Sequence, residues 1–229
     1  MAFSAVFFDL DDTILDFARS EAEALSRALR EEGLPAGEEI LARYHRINAE
    51  QWAMLERGET TRKRLLSRRF SLLFDSMGVG RDPEAFCRRY QEYLGQEAWF
   101  VPGAEALLKT LAPRYALYLA SNGTADTQYS RLAAAGIRGY FQRIFVSQEM
   151  GADKPSGAFF DACFAALPGL SRQEVLMVGD SLTSDIRGGK NAGLATCWYN
   201  PRRETCPPEL RPDFEMRALS ELPGILARE

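Results

Sequence analysis

A chain of 229 residues, 46% apolar and 26% charged, can bury a core without disulfide or metal staples, and its composition excludes a disordered polymer. With 28 basic against 32 acidic side chains the net charge is −4, so no overall field draws it to nucleic acid or an anionic membrane, and an anionic ligand has to be held locally. Cys87, Cys163, Cys197 and Cys206 form no CxxC pair, and with one histidine, His45, they make no zinc set; a reduced, cytoplasmic setting is expected.

In chain order, the first apolar run, Ala5 to Phe8, passes straight into Asp9, Asp11 and Asp12. With no basic stretch before it and no small-residue cleavage site after it, it is read as a strand and not as a signal peptide. Further short runs follow at Tyr115 to Ala120, Arg143 to Ser147, Val175 to Val178 and Leu194 to Tyr199, each rich in β-branched or aromatic residues and ending near a polar or glycine-containing turn. Alternation of such runs with helix-like segments predicts an α/β fold with a parallel sheet covered on both faces. No run reaches the roughly 18 apolar residues that a membrane span needs.

One segment breaks the alternation. Between the first two strands the chain reads as helix after helix, with charged faces at Arg19 to Glu32 and Glu38 to Glu56, far longer than one crossover needs. The division predicted is a core of residues 1–15 and 100–229 with an inserted helical domain of residues 16–99. The basic cluster Arg62, Lys63, Arg64, Arg68 and Arg69 reads as the solvated face of a helix whose buried side carries Leu65, Leu66 and Phe70.

The chemistry-bearing residues sit where strands end. Asp9 and Asp11 lie two apart after the first run; in extended chain such residues share a face about 6 to 7 Å apart and can address one ligand. Asp180 and Asp185 follow the fourth run, behind Gly179, which allows close backbone approach. If these strands are neighbours, three or four carboxylates converge, and two bare charges 4 Å apart repel by about 4 kcal/mol at an effective dielectric of 20. A hard cation relieves this; Mg²⁺ suits an all-oxygen site shared with phosphate. Ser121-Asn122-Gly123 closes the second run with a hydroxyl and backbone N–H groups that can face an anion, and Lys154 supplies a fixed positive charge.

These four motifs, Asp9-Leu10-Asp11-Asp12-Thr13, Ser121-Asn122-Gly123, Lys154-Pro155 and Gly179-Asp180-Ser181 through Asp185, occur in an order that resembles the haloacid dehalogenase-like hydrolase superfamily. The resemblance implies a Rossmann-like α/β core with an inserted α-helical cap. It also implies a Mg²⁺-dependent phosphomonoester hydrolase working through an aspartyl-phosphate. On this resemblance Asp9 is the nucleophile and Asp11 the acid–base, while Ser121, Asn122 and Lys154 hold the phosphoryl oxygens. Mg²⁺ is held by Asp9, the Asp11 backbone carbonyl and Asp180, with Asp185 supporting from behind through water or Lys154.

The family's usual Asp-Gly-Thr is Asp12-Thr13 here, so Asp12 has to supply the turn that glycine permits. This first motif, the stretch Asp180 to Asp185 and the tail Gly188 to Trp198 resemble the noncanonical pyrimidine nucleotidase branch, which implies a nucleoside 5′-monophosphate as substrate. A sugar-phosphate phosphatase or phosphomutase is the alternative, and a non-catalytic binding module a distant one. A dehalogenase needs neither Asp11 nor Asp180, and a phosphonatase needs a cap lysine, for which only Lys63 is present. Phe17, Trp52 and Arg64 are candidates for recognising a base. The expected partner is a small phosphorylated metabolite, with no nucleic acid and no membrane, the protein acting as a monomer or homodimer.

Overall fold

The computed structural model describes residues 3–227, so the outermost ends of the expected core, residues 1–2 and 228–229, lie outside the described residues. The chain divides into two compact units, one formed by residues 1–16 and 99–229, the other by residues 17–98. Asp16 and Trp99 thus fall in the first unit, one residue beyond the boundaries expected at each side. Asp16 N–H donates to the Trp99 carbonyl at 2.8 Å and Val101 N–H to the Ile14 carbonyl at 3.0 Å, so the outgoing and returning chains pair before the helices begin.

The first unit is a six-stranded sheet, β1 (Ala5–Phe8), β2 (Ala116–Ser121), β3 (Arg143–Val146), β4 (Val175–Gly179), β5 (Ala195–Tyr199) and β6 (Phe214–Met216), in the order β3-β2-β1-β4-β5-β6 with every pair parallel. Side chains alternate across it. Val6 and Phe8, Leu117 and Leu119, Leu176 and Val178 enter one apolar layer, whereas Ala5 and Phe7, Tyr118 and Ala120, Val175 and Met177 enter the other. Both faces are therefore buried, as the runs of apolar residues predict. β6 was not expected from the sequence: its three residues are too few to show a period, and they pair only with β5. The order reverses between β1 and β4, and in such sheets the ligand crevice opens outside the carboxyl ends of the strands at that point.

The second unit contains α1 (Phe17–Glu31), α2 (Glu38–Glu56), α3 (Arg62–Met77) and α4 (Pro83–Leu94). Asp82 starts α4 by accepting from the N–H groups of Glu84 and Ala85. Leu25, Leu29, Tyr44, Phe70, Phe74, Phe86 and Tyr90 fill its core. One expectation for α3 is corrected: Arg69 is not on the solvated face. It is buried, donates to Asn48 Oδ1 at 2.8 Å and to the Leu66 carbonyl at 3.2 Å, and lies against the rings of Phe70 and Tyr90, contacts that offset the desolvation of its guanidinium. Arg64, Lys63 and Arg68 are exposed, as read from the sequence, and Leu66 is half-buried. Among the described residues no helix is long and apolar enough to cross a membrane.

In the first unit α5 (Ala104–Leu111), α6 (Ala125–Ala134), α7 (Ser147–Met150), α8 (Gly157–Ala165) and α9 (Arg187–Asn191) lie between strands, and α10 (Leu222–Leu226) follows β6.

Candidate active site

Asp9 continues the ladder past β1, its N–H donating to the Val178 carbonyl at 2.9 Å, so the first acidic side chain is delivered where β1 and β4 run side by side. The chain then turns: Ile14 and Leu15 N–H both donate back to the Leu10 carbonyl, and Asp12 adopts φ 58°, in the left-handed region. The left-handed turn that the missing glycine demands is thus supplied by an aspartate, one of the few residues with a side chain that enters this region without heavy cost.

Lys154 reaches the same place from the loop between α7 and α8. Its Nζ donates to Asp9 Oδ1 at 2.7 Å, Asp185 Oδ1 at 2.6 Å and the Ala120 carbonyl at 2.6 Å, which uses all three donors of the ammonium. Asn122 fixes the lysine's backbone from both sides: its Oδ1 accepts from Lys154 N–H at 2.9 Å and its Nδ2 donates to the Lys154 carbonyl at 2.8 Å. The last carboxylate depends on an absent side chain. A Cβ on Gly179 would lie 2.1 Å from Asp185 Oδ2, so glycine at the end of β4 is what lets Asp185 fold back over the strand, where that oxygen accepts from Ser181 N–H at 3.1 Å. Asp180 accepts from Thr13 Oγ1 at 3.4 Å, and its carbonyl accepts from Trp198 Nε1 at 2.7 Å.

Asp9, Asp180 and Asp185 can place one carboxylate oxygen each within 4.8 Å of one another. The electrostatic consequences are large. Burial pushes the Asp9 carboxyl up to about 8, opposed by the Lys154 ammonium and reinforced by the charges of Asp185 and Asp11. Burial, then Asp185, Asp9 and Asp12, hold the Asp180 carboxyl well above its usual range. Lys154 loses solvation but is raised nonetheless, because Asp185 and Asp9 outweigh burial. Three carboxylates against one ammonium leave an excess of negative charge on hard oxygen donors, which a small divalent cation fits. Asp9 and Asp180 are the better direct ligands, since both oxygens of Asp185 are already engaged by Lys154 and Ser181.

Asp11 differs from the expectation of a face shared with Asp9. The strand ends at Phe8, so alternation does not carry on to Asp11, and its carboxylate turns to α6. There Gln128 Nε2 donates to Asp11 Oδ2 at 2.8 Å and Arg131 Nη1 to Asp11 Oδ1. Ser121 is fully buried at the end of β2, and its Oγ accepts from Gly123 N–H at 3.1 Å and from the same Gln128 Nε2 at 2.7 Å. Gln128 and Arg131 were missed by sequence reasoning. They carry no motif of their own, although their three-residue spacing places both on one face of a helix beginning just after Gly123.

Among the residues considered for base recognition, Phe17 opens α1 half-buried, Trp52 is half-buried under the Arg62 guanidinium at 5.5 Å, and Arg64 is exposed.

Known proteins resemble this chain along its length. The HAD-hydrolase YfnB of Bacillus subtilis is 38% identical over 224 residues, spanning 98% of this chain and 95% of that one. Its solved structure, bound to magnesium, covers all of both chains with a TM-score of 0.95 at 37% identity. Pyrimidine 5′-nucleotidase PynA of Streptococcus pneumoniae is 37% identical over 223 residues, 97% of this chain and 94% of that one. Pyrimidine 5′-nucleotidase YjjG of Escherichia coli is 31% identical over 230 residues, the whole of both. With a haloacid dehalogenase-like hydrolase model matching residues 3–193 and the carboxylate–lysine cluster at the β1–β4 switch point, the chain belongs to the haloacid dehalogenase-like hydrolases.

Proposed function

We propose that this hydrolase is a Mg²⁺-dependent phosphatase of nucleoside 5′-monophosphates, pyrimidine nucleotides foremost, that works through an aspartyl-phosphate on Asp9. The observation that carries the reaction type is the buried set of Asp9, Asp180 and Asp185 around the Lys154 ammonium. The substrate class rests on the two 5′-nucleotidases similar to this chain over more than nine-tenths of each length.

In this reading the Asp9 carboxylate attacks phosphorus, the bond to the ribose oxygen breaks, and Asp11 gives that oxygen a proton. Water then attacks the aspartyl-phosphate, Asp11 takes its proton, and Asp9 is regenerated with release of inorganic phosphate. Lys154, Ser121 and the Asn122 N–H stabilise charge on the phosphoryl oxygens; Lys154 is held in place by Asp185 and by the two-sided clamp of Asn122. Mg²⁺ would be held by Asp9, Asp180 and the Asp11 carbonyl, and when bound supplies the positive charge that this carboxylate set lacks. The helical unit of residues 17–98 serves as the cap that selects the leaving group.

A panel of nucleoside 5′-monophosphates, sugar phosphates, a hexose 1-phosphate with its bisphosphate activator, and a 2-haloacid, each with and without Mg²⁺, tests this. Phosphate release should need Mg²⁺ and be fastest on pyrimidine nucleotides. Halide release, isomerisation of the hexose phosphate, or a sugar phosphate turned over faster than every nucleotide would overturn the reading.

A further inference from the structure

Helix α6 presents two fully buried polar side chains, Gln128 and Arg131, to the reacting loops, and a buried guanidinium costs several kcal/mol unless something compensates it. We propose that these two are positioning residues: they orient the Asp11 carboxylate and fix the direction of the Ser121 hydroxyl. The inference rests on the acid–base role given to Asp11 above.

The geometry is specific. One amide nitrogen, Gln128 Nε2, donates both to Asp11 Oδ2 at 2.8 Å and to Ser121 Oγ at 2.7 Å, and so ties the loop after β1 to the loop after β2. Its orientation is locked, because Gln128 Oε1 accepts from Arg131 Nη1 at 3.2 Å; a flipped amide would set its oxygen against the Asp11 carboxylate. Arg131 Nη1 engages the other Asp11 oxygen, so each end of the carboxylate is held by a different α6 residue. Room for this was left in the chain: a Cβ on Gly123 would lie 2.4 Å from Gln128 Nε2.

The effect on Ser121 follows from its inventory of bonds. A hydroxyl has one proton and two acceptor sites, and here Gly123 N–H and Gln128 Nε2 fill both. The remaining proton is committed to donating, the polarity needed to hold an anionic phosphoryl oxygen. A structural role for Arg131 and Gln128 would demand none of this bridging.

The test compares kcat/KM of the full-length, Mg²⁺-loaded enzyme on uridine 5′-monophosphate and on p-nitrophenyl phosphate, whose leaving group departs as a stable anion and needs no proton. Asp11→Asn sets the reference for loss of the acid. Arg131→Met should lose about 10²-fold on the nucleotide and much less on the nitrophenyl ester, whereas Gln128→Leu, which also frees the Ser121 hydroxyl that both esters use, should lose on both and more on the nucleotide. Arg131→Lys, which keeps a cation, should recover part of the loss. If Arg131→Met fails to fold, Gln128→Leu and Arg131→Lys carry the comparison, with their thermal midpoints measured alongside. Equal losses on the two substrates, or none, while Asp11→Asn remains selective, would overturn the positioning role and leave Asp11 as the acid. An unselective Asp11→Asn would overturn both.

Discussion

Replacing Gly179 by alanine adds one carbon at the end of β4, where the extended backbone suits alanine as well as glycine. The added atom would stand 2.1 Å from Asp185 Oδ2, 2.3 Å from Cγ and 2.6 Å from Cβ, where contacts under 3.0 Å are essentially never seen. The Asp185 carboxylate therefore has to withdraw by about 0.9 Å at the nearest atom. That displacement can stretch the 3.1 Å contact of Oδ2 with Ser181 N–H past useful length and lengthen the 2.6 Å contact of Oδ1 with Lys154 Nζ toward the limit of a hydrogen bond. Overpacking of this kind costs about 1–3 kcal/mol of stability, and on the role proposed for Lys154 its displacement costs about 10²-fold in rate. The assay is Mg²⁺-dependent hydrolysis of p-nitrophenyl phosphate beside thermal unfolding, with Asp185→Asn and the double variant completing a cycle. Because both changes act on one contact, their effects should fall well short of additive. A Gly179→Ala enzyme with wild-type kcat/KM and melting point, or strict additivity with Asp185→Asn, would refute the claim that Asp185 positions Lys154 across this glycine.

Asp9→Asn should abolish turnover, and substantial residual activity on p-nitrophenyl phosphate would remove Asp9 as the nucleophile. The same variant reports on the charge excess. With its carboxyl raised from 3.8 to about 8 in the metal-free protein, chiefly by burial, Asp9 favours folding fully below its ordinary value, and this contribution is lost as the pH rises through 8. In chelator, the stability of Asp9→Asn relative to wild type should therefore grow as the pH rises from 4 to 8, and Mg²⁺ should shrink the gap. A flat difference in urea unfolding would mean that Lys154 compensates Asp9 completely. At the turn, Asp12→Val should cost about 1–2 kcal/mol because φ is 58°, whereas Asp12→Gly should stay within about 1 kcal/mol; the reverse ranking in urea unfolding would show that the backbone angle is not what selects the residue.

Most of the sheet was legible because its strands are buried on both faces: a run such as Ala5–Phe8 is apolar at every position, and turn residues follow it. β6 was not, since Phe214–Met216 is held by its neighbour β5 and by no pattern of its own. Within the candidate site, Asp9, Ser121, Asn122 and Asp180 could be named because strand ends of a parallel sheet share one edge, while Lys154 and Asp185, farther from a strand end, took the order of the motifs and the family resemblance. Where Asp11 points could not be read, because the alternation that suggested a face shared with Asp9 stops at Phe8 and the side chain answers to α6 instead. Arg69 was misplaced for a related reason. Its position on α3 falls in line with Leu65 and Leu73, inside the buried stripe, and was read with its charged neighbours because the partners that make burial tolerable, Asn48 on α2 and Tyr90 on α4, come from other helices.

The pairing of β1 carries a consequence for how the polypeptide acquires its shape during synthesis. Ala5 meets Ala116 on one side and Val175 on the other, so the central strand emerges first and waits for both neighbours. Residues 17–98 form their compact unit from one uninterrupted stretch, which leaves the ribosome before β2 is made. The helical unit is thus free to form early while Ala-Val-Phe-Phe stays unpaired with two open edges. In that interval this nascent chain is most exposed to aggregation, and chaperone binding would have the greatest effect.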